Sequence, residues 1–301
     1  MTQYGSSSGI SGFITDALSV LGYEAKQELK ERKALKLKNH APDFENSSFP
    51  AQWNFISDPS RRVVAMCSRR AGKSTGVAYL LLQTALSGPK FDCIYITKTR
   101  ERGYNILWKA INDIIEEFNI GCEVNKTSLT ITFPATKSTI YFMGINDSQQ
   151  VDRPLGLFFK LAVIDEAQSF PPYLKELCQR ALSASLTDLQ GKLVLIGTPN
   201  ASCSGFFHET YEGNYYSKHT WTCWDNPYFL GKAKSANPEI KSNRDILDQI
   251  LAEYSIEEDD PHTQREWFGR CIKSSSLLVY TYHEKNFGEI PSEEDRNKDK
   301  E

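Results

Sequence analysis

The chain has 301 residues, 40% of them apolar and 24% charged, which is enough to bury a full core in one large domain with a small appendage. A net charge of −3 gives no global basic field, so any nucleic-acid contact has to come from a local patch. The apolar stretches, such as 77–82 and 161–164, are far too short to span a bilayer, and the uncharged start from Met1 to Ser11 lacks the basic segment of a secretory signal.

Residues 1–9 are rich in Ser and Gly. From Ile10 to Lys38 apolar positions recur at helical spacing among alternating charges, which predicts a solvated amphipathic helix. Residues 40–50 (HAPDFENSSFP) are punctuation. A strand–helix rhythm follows: strands over 61–67 and 91–97, helices over 73–86 and 100–118. SLTITF (128–133) and STIYFMG (138–144) read as a hairpin, and 160–167 and 192–198 as two more strands around a helix over 173–185. Alternation of this kind predicts a mainly parallel sheet with helices on both faces and an antiparallel hairpin inserted. After about residue 222 the pattern turns helical, over 243–255 and 260–272, and 284–301 is charged and poor in apolar residues. The expected divisions are an N-terminal helical arm (1–45), a core (46–222), a helical lid and linker (223–283) and a disordered tail (284–301). Seven scattered cysteines with no C-x-x-C pair predict reduced structural thiols, with neither disulfides nor zinc.

CSRRAGKST (67–75) lies between a β-rich run and a helix-forming run, the setting that a phosphate-binding loop requires. Gly72 permits close backbone approach, Lys73 would neutralise the outer phosphates, and the Ser74 hydroxyl would reach Mg²⁺. Ser68, Arg69, Arg70, Ala71 and Thr75 complete the stretch expected to hold ATP, although Arg70 reads equally well as a surface charge. Cys67 stands where the pattern's first glycine would be, so the loop is a variant. FKLAVIDEAQ (159–168) ends an apolar strand in two carboxylates, at the sheet edge where ligands of open α/β sheets bind. Asp165 would hold the hydration shell of Mg²⁺, and Glu166 would act as general base on the attacking water. KLVLIGTPN (192–200) brings Thr198 to the same edge as a possible phosphate sensor, while Gly-Thr-Pro-Asn also reads as simple turn chemistry. The fold class expected is a P-loop NTPase of the ASCE type.

Taken together and in this order, these motifs resemble those of the large terminases of tailed phages and herpesviruses, over about residues 49–280. SRRAGKS is similar to that family's glycine-poor, arginine-bearing phosphate loop, and VIDE, IGTP and the later Asp225-Asn226-Pro227-Tyr228 follow in the expected order. FPAQWNFI (49–56) is similar to the family's glutamine motif, which implies Gln52 at the adenine. The resemblance implies Arg69 at the γ-phosphate, Arg153 as a finger or neighbour-subunit contact, and Thr198 as the residue coupling hydrolysis to the lid. Arg100 and Arg102 are further candidates for an arginine role, although exposed arginines at a helix start are usually just solvated. It further implies an ATPase that moves double-stranded DNA into a procapsid in the host cytoplasm. Its partners would be a portal protein and a small terminase subunit, in a homo-oligomeric ring with no membrane involved. The family's nuclease domain is not expected here, because the carboxylates after LLVY (277–280) lie in a polar tail. Other readings are a helicase-like or transposition ATPase, which would need a second sheet-containing domain or further motifs, and a non-hydrolysing nucleotide-binding module, which would not need Lys73, Asp165 and Glu166 together.

Overall fold

The structure, a computed structural model, describes residues 42–272 apart from Pro171. The predicted N-terminal helix, the LLVY run at 277–280 and the charged tail lie outside the described residues. The first described helix is α1 (Pro50–Ser57), begun by a proline whose fixed φ suits a first helical turn. Strand β1 (Arg62–Met66) leads through the phosphate loop into α2 (Lys73–Ser87), and β2 (Cys93–Thr97) leads into α3 (Arg100–Gly103). That helix runs on through a π turn (Tyr104–Trp108) into α4 (Lys109–Glu117). Strands β3 (Glu123–Asn125), β4 (Thr130–Phe133) and β5 (Ser138–Gly144) come next, then β6 (Leu161–Ile164). A broken helix follows: α5 (Leu174–Glu176), a π turn (Leu177–Leu182) and α6 (Ser183–Thr187). Strand β7 (Lys192–Gly197), α7 (Phe206–Glu212) and β8 (Ser217–His219) complete the sheet. Three helices end the described chain: α8 (Pro227–Ala236), α9 (Asn243–Tyr254) and α10 (Pro261–Phe268).

The eight strands form one sheet in the order β3-β4-β5-β2-β6-β7-β1-β8. The six strands from β5 to β8 are mutually parallel, and β3 and β4 add an antiparallel edge. The predicted hairpin forms as read, with β5 also pairing in parallel with β2. Short β3 and β8, together with α1 and α7, were not read from sequence, since three-residue edge strands carry almost no period.

The central strands β1, β2, β6 and β7 are buried on both faces and read as near-continuous apolar runs, whereas β4 and β5 alternate. Val63, Ala65, Tyr95, Leu161, Val163, Val194 and Ile196 face the core under α1, α2 and α4. Their neighbours Val64, Met66, Ile94, Ile96, Ala162, Ile164 and Leu195 face the core under the broken helix and α7.

One expectation is corrected here. Cys203 and Cys271 form a disulfide joining the loop after β7 to the end of α10, while Cys67, Cys93, Cys122, Cys178 and Cys223 are free. The partners are 68 residues apart, and only the return of α10 to the loop after β7 brings them together. Closing a loop of that length contributes about 4 kcal/mol in the chain-entropy treatment. Among the described residues no helix is long and apolar enough to cross a membrane.

Candidate active site

The phosphate loop is built around two left-handed residues, Arg70 at φ 56° and Gly72 at φ 77°. Cys67 is not among the positive-φ residues, which explains why a side chain is tolerated where the pattern has its first glycine. That side chain is fully buried, and burial pushes its thiol up to about 12. Helix α2 starts with no side-chain cap and no acidic residue in its first turn. Its orphan N–H groups and positive dipole end are left for an anion.

Three distant side chains hold the loop by its carbonyls. Gln52 from α1 donates Nε2 to Gly72 O at 2.9 Å, Trp221 donates Nε1 to Ala71 O at 2.7 Å, and Asn226 donates Nδ2 to Arg70 O at 3.0 Å. Ser68 Oγ accepts from the Cys223 backbone N at 2.7 Å. Lys73 reaches across the loop, donating to Ser68 O at 2.6 Å and to Thr198 Oγ1 at 3.1 Å. Burial lowers the pKa of its ammonium, an environment that favours a phosphate partner.

Strand β7 separates β1 from β6, so the acidic pair stands two strand spacings, about 10 Å, from the loop strand. Asp165 is 2% exposed and accepts from the Tyr95 hydroxyl at 2.6 Å and from the Glu166 N–H at 2.8 Å. Burial raises its pKa, opposed by the Tyr95 hydrogen bond and by Lys73. Glu166 sits on left-handed backbone, φ 51°, and its carboxylate accepts from Arg102 Nη1 at 2.7 Å. Two residues on, Gln168 Oε1 accepts from the Thr198 N–H at 3.2 Å. A Cβ at Gly197 would lie 2.1 Å from that oxygen, so a larger residue there would push the Gln168 amide away from Thr198. A continuous chain of contacts therefore joins Lys73, Thr198 and Gln168 to the acidic turn.

Among the arginines, Arg69 is placed differently from the sequence reading. Arg69 is ion-paired with Glu266 of α10, and its backbone N–H donates to Glu266 O at 2.7 Å, so its side chain points to the C-terminal helices and away from the phosphate seat. Arg153 is exposed and donates to Gly144 O at 2.8 Å, at the end of β5. Strand β5 lies four positions from β1, about 19 Å, which leaves Arg153 out of reach of its own loop. Of the two candidates at the start of α3, Arg102 is the arginine on the acidic pair, while Arg100 donates to Thr127 O. Gln52, expected at the adenine, is 2% exposed and bonded to the loop from behind. Ser74 and Thr75 occupy the first turn of α2.

Sequence reasoning also missed Tyr95, Gln168, Trp221 and Glu266. For Tyr95 a signal existed: a tyrosine inside a wholly buried strand needs a partner for its hydroxyl. The others depend on long-range contacts with no local trace.

No protein-family model matches the sequence, and no curated protein matches it. Solved structures do. The ATPase domain of the large terminase of Thermus phage P74-26 superposes with a TM-score of 0.55 at 14% identity, over 75% of this chain and 94% of that one. The chain has the fold of a phage large-terminase ATPase domain. The large terminase of a thermophilic bacteriophage, solved with ADP, matches with a TM-score of 0.54 at 14% identity, over 74% of this chain and 53% of that one. The HK97 bacteriophage large terminase matches with a TM-score of 0.51 at 16% identity, over 74% and 50%. The match thus spans about half the length of these last two terminases. The thermophilic phage protein has also been solved with ATP-γ-S.

Proposed function

We propose that this chain is the ATP-hydrolysing motor domain of a large terminase, coupling hydrolysis to the movement of double-stranded DNA into a procapsid in the host cytoplasm. The observation that carries the chemistry is the convergence of Lys73, Thr198, Asp165 and Glu166 at one sheet edge, beside an uncapped helix N-terminus. The fold likeness supports the motor part of the reading.

Loop N–H groups and Lys73 would hold the β- and γ-phosphates, with Lys73 exchanging its bonds to Ser68 and Thr198 for phosphate oxygens. The Ser74 hydroxyl and the Asp165 carboxylate are hard oxygen donors that fit Mg²⁺, Asp165 through water because both its oxygens already accept bonds. Bound there, the ion would neutralise charge on the phosphates. Water attacks the γ-phosphorus in line, Glu166 takes its proton, and ADP departs. Glu166 first has to leave Arg102. With side chains 51% and 33% exposed, that ion pair is worth about 0–1 kcal/mol, little enough for a bound nucleotide to displace. Thr198 would report loss of the γ-phosphate through its bonds to Lys73 and Gln168. Arg69 would pass loop motion to α10 through Glu266. Arg153, far from its own loop, would serve a neighbouring subunit in a ring on the portal protein, with a small terminase subunit delivering the DNA.

The test is phosphate release from Mg·ATP by the full chain, with and without double-stranded DNA. Glu166→Gln should retain ATP binding while turnover falls by about 10²–10⁴-fold, the usual size of a general-base contribution. Turnover close to wild type would remove Glu166 from the mechanism, and no stimulation by DNA would count against the motor assignment.

A further inference from the structure

The Cys203–Cys271 bond closes a circuit that starts and ends at the phosphate loop. On one side Lys73 Nζ donates to Thr198 Oγ1 at 3.1 Å, and the chain from Thr198 runs directly to Cys203. On the other side Cys271 follows α10, whose Glu266 holds both the side chain and the backbone N–H of Arg69. Gly269, between α10 and Cys271, lies so close behind the loop that a Cβ there would be 3.0 Å from Ser68 N. The two routes proposed above to carry the state of the loop, through Thr198 and through α10, are therefore joined by one covalent bond.

The pair also differs in chemistry from the free cysteines. Burial pushes the thiols of Cys67, Cys93, Cys178 and Cys223 up, which leaves them inert. Cys271 is only half-buried, and its Sγ lies 3.5 Å from Nδ1 of His208 on α7, a base within reach of the thiol proton. Cys203 is buried on left-handed backbone, φ 46°, in a turn that Asn200 makes. Asn200 O accepts from the Cys203 N–H at 3.2 Å, and Asn200 Nδ2 donates to Ser204 O at 2.9 Å. That turn keeps the two Cα atoms 5.6 Å apart by bonds that do not involve sulfur. An open sulfur, a neighbouring base and a partner held in place are what a bond that is made and broken repeatedly requires.

We propose that this bond is a thiol-operated latch on the nucleotide cycle. Oxidised, it clamps α10 to the loop after β7, so ATP binds but the helices cannot shift, and turnover is held down. Reduced, it frees them. The inference rests on the ATPase reading for what is controlled, and on the geometry of the pair for the control. The reductant is a small-molecule thiol. Its thiolate attacks Cys271 Sγ, the more open sulfur, the S–S bond breaks, and Cys203 leaves as a thiolate. A second thiol attacks the mixed disulfide and releases Cys271. The two cysteines gain two electrons and the two protons of the reductant, whose sulfurs end as a disulfide, and His208 carries the proton to and from Cys271. Oxidation by a small-molecule disulfide is the same sequence reversed. In the cytoplasm proposed above such thiols keep most cysteines reduced, and the disulfides that do form are usually transient or redox-sensing.

The full chain is prepared with the bond formed and again after treatment with dithiothreitol; alkylation under denaturing conditions should count five and seven free thiols. With Mg·ATP and double-stranded DNA, the reduced form should turn over faster by about 5-fold or more, the lower end of ordinary coupling between sites. Amide hydrogen exchange over α10 should also be faster in the reduced form. Cys271→Ser should behave as reduced wild type whatever the treatment, and Cys203→Ser should do the same if the first variant does not fold. His208→Gln should slow reoxidation by oxidised glutathione without changing the turnover of either form. Equal turnover in the two forms of an active enzyme overturns the latch alone. Seven free thiols after treatment with oxidised glutathione overturn it outright. No turnover in either form overturns the ATPase reading; equal exchange then overturns the latch too, while faster exchange in the reduced form keeps it as a clamp on α10.

Discussion

The phosphate loop and the acidic turn face each other across one strand, yet they are held in opposite ways. The loop is braced from outside: Gln52 of α1, and Trp221 and Asn226 of the segment between β8 and α8, each bond one of its carbonyls. Its shape is therefore set before any ligand arrives. The acidic turn has one fixed carboxylate and one movable one. Asp165 is buried with both oxygens engaged, whereas Glu166 sits on left-handed backbone and is held by a half-exposed ion pair. On the proposed mechanism the binding machinery is preorganised and the proton acceptor is free to swing, a division that would suit hydrolysis that waits for a signal.

Breaking the brace should have the largest effect. Trp221→Phe leaves the Ala71 carbonyl without its donor in a position only 1% exposed, a loss of about 1–3 kcal/mol. Urea unfolding should show the lower stability, and ATP binding should weaken with it. Unchanged values in both would mean the loop keeps its shape unaided.

A smaller effect, of the other sign, is expected at Asp165. Burial raises its pKa, so above the ordinary value of 3.8 the folded chain holds a proton that the unfolded chain releases. Stability then falls as pH rises from that value through the folded pKa. Asp165→Asn removes the charge, so its melting temperature should exceed wild type at neutral pH and the gap should close below pH 3.8, while Mg²⁺-dependent turnover is lost. A variant less stable than wild type at neutral pH would show that the ionised carboxylate stabilises the fold.

The smallest stability effect belongs to Arg102→Ala. An exposed pair is worth about 0–1 kcal/mol, so melting should barely move. What should change is control: with Glu166 released, ATPase activity without DNA should rise relative to activity with DNA. If basal turnover and the DNA-stimulated rate fall together, Arg102 orients Glu166 for attack and does not restrain it.

Much of this was legible in the chain. Short apolar runs such as VVAM and LAVI between turn signals fit strands buried on both faces, and a Gly-Lys-Ser opening a helix directly after such a strand points to anion binding. Lys73, Asp165, Glu166 and Thr198 were all placed at the sheet edge from local pattern, because strand ends and helix starts are local events. The tertiary structure decided the rest. Whether Arg69 turns to the phosphates or to Glu266, and which arginine meets Glu166, depends on contacts 197 and 64 residues apart. The Cys203–Cys271 bond likewise arises only when the C-terminal helices fold back onto the loop. A long charged side chain carries no periodicity and can choose among several partners within its reach, so its choice is settled by packing and not by the residues beside it.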